Sequence, residues 1–123
     1  MLVHKHLIVR AKVNNPPKDE KWAEAWVSEL IDKIGMKALI GPFAKYLDVP
    51  GNRGLTVAAI IETSHIAMHV WDETDPALIQ LDVYTCGPLD TSIIFDHIKA
   101  FDPVQVDYKY LDRENGLIEI PLE

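Results

Sequence analysis

The sequence predicts an α+β two-layer sandwich, one mainly antiparallel sheet with two helices on one face. Three observations carry that expectation. Runs with an apolar residue at every second position dominate the chain, two other segments are apolar at helical spacing, and the order is strand, helix, several consecutive strands, helix, strand. With 123 residues, 48% of them hydrophobic, the chain is expected to form one domain over 1–123 with enough apolar content for a core.

The first strand is expected over Leu2–Val13. Val3, Leu7, Val9, Ala11 and Val13 mark its buried face, and His4, His6, Arg10 and Lys12 point the other way. His4 and His6 read as exposed strand residues, because no third metal ligand lies near them at a recognised spacing. The Asn-Asn-Pro-Pro run at 14–17 breaks the strand and leads into a helix over about Lys18–Ile34, with Asp19 and Glu20 in its first turn and Gly35 at its stop. Trp22, Trp26, Leu30 and Ile34 recur every four residues, flanked by Ala23, Val27 and Ile31, as the face that packs on the sheet.

Met36–Leu47 reads as a strand, irregular around Gly41-Pro42, and residues 50–54 as a turn whose glycines form no phosphate-binding pattern. Leu55–Glu62 is a short apolar strand. In residues 65–71, His65, Ala67, His69 and Trp71 alternate with Ile66, Met68 and Val70, so both histidines face one way. A second alternation sets Ala77, Ile79, Leu81, Val83 and Thr85 against Leu78, Gln80, Asp82, Tyr84 and Cys86. Turn residues at 72–76 let these two strands pair, which brings the Ser64 end of one near the Cys86 end of the other. Asp90 or Thr91 caps a second helix running to Phe101, buried through Ile94, Ile98 and Phe101, with His97 and Lys99 solvated. Val104–Leu111 alternates as a strand with Val104, Val106, Tyr108 and Tyr110 on one side; residues 113–116 form a turn and 117–121 a short extended piece.

Nineteen acidic against twelve basic residues give a net charge of −7, which argues against nucleic acid or an anionic membrane as partner and is compatible with a cationic ligand. A single cysteine excludes an internal disulfide and makes a reducing cytoplasm the expected setting. No secretory leader is read at the start, and no apolar run reaches membrane-crossing length.

Chemistry concentrates between Glu62 and Gly87, where a hydroxyl (Ser64), two imidazoles (His65, His69), a carboxylate (Glu73) and the thiol of Cys86 lie within one hairpin of chain. The order S-H-I-x-x-H-x-W-x-E followed by D-V-Y-T-C-G resembles the signature of the small prokaryotic S-adenosylmethionine decarboxylases, which are pyruvoyl enzymes. The likeness is densest over residues 64–87. Departures stand beside it: Thr63 precedes the serine where the family often has Glu, Asp72 replaces a proline, and the loop before Ala77 is longer by about two residues.

That resemblance implies a mechanism. Decarboxylating an amino acid leaves a carbanion that needs an electron sink no ordinary side chain supplies, and here the sink would be a pyruvoyl group made from the chain's own Ser64. The Ser64 hydroxyl would attack the carbonyl of Thr63, the amide would become an ester, and elimination would leave products 1–63 and 64–123. His69 matches the histidine credited with proton transfer in that processing, and Thr56 stands where the family carries an assisting serine. Cys86 matches the residue that returns a proton to the substrate Cα. Glu73 matches a carboxylate that binds the ribose hydroxyls, and Tyr46 an aromatic ring stacked on the adenine. The resemblance also implies a small-molecule substrate, S-adenosylmethionine, decarboxylated for polyamine (spermidine) synthesis, and a homodimer with active sites at or near the shared interface. The alternatives are a pyruvoyl decarboxylase of another amino acid and an unprocessed relative with a binding or regulatory role. A zinc hydrolase using His65 and His69 lacks a third ligand, so no metal is expected.

Overall fold

Period-two alternation becomes, in the computed structural model of this protein, a seven-stranded sheet. The structure describes residues 3–122, so the expected strand start at Leu2 lies outside the described residues. Strand β1 (Lys5–Val13) and helix α1 (Glu20–Lys33) precede four consecutive strands, β2 (Ala38–Leu47), β3 (Gly54–Ile61), β4 (Ser64–Trp71) and β5 (Ala77–Thr85). Helix α2 (Thr91–His97) tightens into a 3-10 turn (Ile98–Phe101), and β6 (Pro103–Asp112) and β7 (Ile118–Glu119) close the chain. The strands lie in the order β2-β3-β4-β5-β1-β6-β7, every pair antiparallel.

Parity decides which side chains meet the helices. Leu7, Val9 and Ala11 of β1, Leu55, Val57 and Ile61 of β3, Ile66, Met68 and Val70 of β4, and Ile79, Leu81 and Val83 of β5 are all buried. Helix α1 lays Ala23, Trp26, Val27, Leu30 and Ile31 over this face, and the α2 segment adds Ile94, Ile98 and Phe101. Each large aliphatic or aromatic side chain so buried contributes about 1.5–3 kcal/mol relative to exposure. The opposite face carries no helix. Among the described residues no helix is long and apolar enough to cross a membrane.

Local chemistry sets the boundaries of α1. The Asp19 carboxylate accepts from the amides of Lys21 (2.9 Å) and Trp22 (3.4 Å), filling the N-cap role, and Gly35 follows the helix at φ +76°. The helix also holds the outer edge of the sheet: the Ala44 amide donates to Glu24 Oε2 at 3.1 Å and the Tyr46 amide to Glu20 Oε2 at 2.7 Å. Gly54 opens β3 at φ +154°, where a Cβ would stand 1.6 Å from the Val70 carbonyl oxygen.

Two expectations change. Trp22 is 44% exposed rather than part of the buried stripe, because residues four apart drift by about 40° around the helix and the end member turns away. It touches the Phe101 ring at 5.8 Å between centroids. His97, expected in solvent, is buried: its Nε2–H donates to the Trp26 carbonyl (2.8 Å), the Trp26 indole N–H donates back to the His97 carbonyl (3.2 Å), and the rings stack at 4.4 Å. Its Nδ1 faces the Lys33 ammonium at 3.4 Å, which fixes the neutral tautomer. On β6, Val106, Tyr108 and Tyr110 share the helix side; Val106 and Tyr108 stay exposed, with the Phe95 ring 5.3 Å from that of Tyr108.

Burial, with Lys33 adding to it, holds the His97 pKa below its unfolded value of about 6.5, so the unfolded chain takes up the proton first as pH falls. Stability is therefore full above about pH 6.5 and declines below it. Comparing denaturant midpoints at about pH 7.5 and about pH 5, the wild type is expected to lose more than His97→Gln, which keeps an N–H for the Trp26 carbonyl; parallel losses would exonerate His97. Gly54→Ala is expected to cost roughly 2–4 kcal/mol in the same assay, because the obstructing atom is backbone.

Candidate active site

Ser64 and His69 stand at opposite ends of β4. Five residues of strand separate them by roughly 16 Å, and the odd spacing puts their side chains on opposite faces of the sheet. Ser64 is buried on the helix side and His69 exposed on the open side. The sequence-predicted set therefore divides into two clusters.

The first surrounds the turn between β3 and β4. Register pairs Ile61 with Ser64, leaving Glu62 and Thr63 to make the reversal. Thr63 adopts φ +55°, a left-handed conformation that costs a β-branched residue on the order of 1–3 kcal/mol. The Ser64 hydroxyl accepts the Cys86 amide N–H at 2.9 Å and donates to the Glu62 carbonyl at 3.2 Å. That carbonyl also receives the Thr63 hydroxyl (2.7 Å) and the Cys86 thiol (3.3 Å). Serine, threonine and cysteine are thus tied to one oxygen beside the Thr63-Ser64 peptide. The Ser64 and Thr63 hydroxyls, in that order, draw the Cys86 thiol below the usual cysteine range, against a smaller opposing effect of burial.

The second cluster lies at the far end of β4. Thr56 and His69 are direct cross-strand partners on the open face, with Thr56 Oγ1 3.0 Å from His69 Nδ1. Beside them Leu47, Asn52, Gly54 and Trp71 line a cleft of about 120 Å³, and the Trp71 indole N–H donates to Asn52 Oδ1 at 2.8 Å. Glu73 accepts the Arg53 amide at 3.0 Å, and the Arg53 guanidinium bridges it to Asp48. Tyr46 is placed differently: it pairs with Leu55 on the helix side, and its hydroxyl donates to Asp72 at 2.8 Å. The hydrogen bond to Asp72, with burial, raises its pKa.

A third group had no counterpart in the sequence reading. His6 Nε2 and His65 Nε2 both meet the Asp82 carboxylate, the latter at 3.2 Å. Arg113 Nη1 lies 3.2 Å from His6 Nδ1 with its guanidinium over the Tyr84 ring, and the Tyr84 hydroxyl is 2.9 Å from His4 Nδ1. Burial works to raise the Asp82 pKa, but the hydrogen bonds and charges of His6 and His65 outweigh it and the carboxyl titrates low. His6 is thus neither solvated nor without a third ligand group nearby. His65 and His69, though on one face, serve different neighbours. Alternation already put His6, His65, Asp82 and Tyr84 on open-face positions; the missing signal was the register that makes them adjacent.

The family model for S-adenosylmethionine decarboxylase matches residues 5–114. This chain belongs to the S-adenosylmethionine decarboxylase family. Among its relatives, the S-adenosylmethionine decarboxylase proenzyme of Pyrobaculum arsenaticum is 42% identical over 64 residues, which make up 50% of either chain. That of Pyrobaculum aerophilum is 38% identical over 78 residues, 62% of this chain and 60% of the other. The chain spans about half the length of the curated relatives it matches. The crystal structure of the adenosylmethionine decarboxylase from Aquifex aeolicus superposes with a TM-score of 0.70 at 19% identity, covering 99% of this chain and 98% of that one, a likeness of fold.

If the hydroxyls beside Cys86 set its titration, then in a Ser64→Ala background Thr63→Val should move the pH at which iodoacetamide alkylates the thiol upward. Superimposable pH–rate curves would separate the hydroxyl from the sulfur.

Proposed function

We propose that this chain is a self-processing, pyruvoyl-dependent decarboxylase of S-adenosylmethionine, producing decarboxylated S-adenosylmethionine for polyamine (spermidine) synthesis. The observation that carries the reading is the convergence of Ser64 and Cys86 on a strained Thr63-Ser64 turn, in a member of this family.

The residues at that turn fit a serine-derived pyruvoyl group. In processing, the Ser64 hydroxyl attacks the Thr63 carbonyl carbon and the peptide C–N bond breaks, giving an ester and a free amine. Loss of the Ser64 Cα proton expels Thr63 as a new carboxyl terminus and leaves dehydroalanine, which hydrolyses with release of ammonia. The Cys86 amide fixes the direction of the Ser64 oxygen, and leaving the left-handed conformation of Thr63 favours the break. When present, the pyruvoyl carbonyl supplies the electron sink for the carbanion formed on loss of carbon dioxide. Cys86 is suited to return a proton to the substrate Cα, because its neighbouring hydroxyls bring its pKa closer to neutrality. Glu73 and Tyr46 are assigned to substrate, at ribose and adenine respectively.

His69 is the assigned base for the Ser64 Cα proton, with Thr56 holding its Nδ1. Within one chain it cannot reach Ser64. The cleft beside it, about 120 Å³, also falls well short of the roughly 300 Å³ a substrate of this size needs. Both facts support a homodimer. The helix-free face exposes Ile8, Ile40, Phe43 and Ile60, and a two-fold axis parallel to that face and across the strands would bring the Ser64 end of each β4 toward the His69 end of the partner's.

Denaturing mass spectrometry tests the reading. The wild type is expected as two fragments with a carbonyl at the start of the second, and Ser64→Ala as one intact 13.9 kDa chain; a wild type that stays whole after long incubation and traps no hydroxylamine would refute the enzyme. Cys86→Ala is expected to cut itself but lose most of its turnover. Co-expressing Ser64→Ala with His69→Ala should restore cleavage of the His69→Ala chain, because the partner supplies the histidine. A mixed dimer that stays uncut would reject the shared site.

A further inference from the structure

On the open face of the sheet, register gathers side chains of metal-ligand type. Across β4, β5 and β1, register places His65, Tyr84 and His6 side by side, and Asp82 stands one step along β5 between Ile8 and Ala67. Neither of those flanking residues offers the carboxylate a polar partner. Among the described residues its hydrogen bonds go to His6 and His65.

We propose that His6, His65 and Asp82 form a binding site for a divalent first-row transition metal, with zinc the best match. One ligand atom from each residue lies within 4.8 Å of the other two. In a tetrahedral zinc site, bonds of about 2.0–2.2 Å set neighbouring donors roughly 3.3–3.5 Å apart, so closing the set takes a side-chain rotation and no movement of backbone. Two imidazoles and one carboxylate suit zinc, cobalt or nickel; magnesium and calcium prefer oxygen-only shells. All three ligands project from paired strands, which makes their spacing rigid. They leave a fourth position pointing away from the sheet, open to water or to whatever packs there.

Arg113 makes the site conditional. A guanidinium can only donate, so its contact with His6 Nδ1 keeps the imidazole proton on Nε2, facing Asp82. Metal binding at Nε2 requires that proton to move to Nδ1, where it needs an acceptor, and Arg113 must withdraw. Arg113 is an exposed residue just past β6, so its withdrawal gives up the contact with the Tyr84 ring but displaces no core side chain. Once bound, the ion would clamp β1, β4 and β5 together next to Ser64, which immediately precedes His65. The site needs neither the pyruvoyl group nor turnover, so it stands or falls apart from the decarboxylase reading.

Co2+ titration of the full chain, with Ser64→Ala run in parallel to hold it uncut, is the test. The expected result is one equivalent per chain with the visible absorption of a four- or five-coordinate ion, displaced by Zn2+ and accompanied by a raised melting temperature. Asp82→Asn and His65→Ala, checked for native circular dichroism, should weaken binding by about 100-fold, whereas Arg113→Gln, which offers an acceptor oxygen, should strengthen it. Cys86→Ala should leave the spectrum unchanged. No binding at millimolar Co2+, or binding that survives Asp82→Asn and His65→Ala or disappears with Cys86→Ala, would overturn the assignment.

Discussion

A one-residue slip between β4 and β5 would turn Ile66, Met68 and Val70 toward solvent and drive His65 and His69 into the core, and burial forbids it. That register does more than stabilise the sheet. It sets Cys86 just past the end of β5, where its amide meets the Ser64 hydroxyl at the start of β4. The chemistry-bearing pair thus inherits its placement from a hydrophobic constraint several residues away. Asp82 reaches His65 by the same means, since it sits on the same two strands.

The sheet distributes polar groups unevenly. One end of β4 carries a buried serine and a thiol on a strained reversal, and the other an exposed imidazole backed by a threonine hydroxyl. Neither end holds a nucleophile, a base and a substrate-sized cavity together. A strand is too stiff to fold its own ends onto each other, so one chain does not bring these groups together. The apolar side chains left on the helix-free face are consistent with the proposed homodimer.

Alternation made the three central strands and their buried sides readable from sequence, because both faces of a half-buried strand leave a period-two trace. Helix α1 was equally plain, with an acidic N-cap and a glycine stop around an apolar stripe. What stayed hidden depends on partners far away in the chain. His97 looks like a solvated helix residue until Trp26, 71 positions earlier, is seen to present both a carbonyl and an indole N–H. Asp82 looks like an ordinary outward-facing acid until β1 and β4 flank it with imidazoles. Tyr46 carries no mark in its local sequence of the bond its hydroxyl makes with Asp72. In each case the side chain obeyed its local pattern, and a long-range register or packing contact supplied its role.

The two glutamates that α1 extends to the amides of Ala44 and Tyr46 also decide how the molecule can associate. Strand β2 is an outermost strand, and its outward amides would otherwise invite another chain to extend the sheet sideways without limit. With those donors occupied by the protein's own carboxylates, lateral strand addition along this border is opposed. This edge of the sheet is thereby a poor template for fibrous growth.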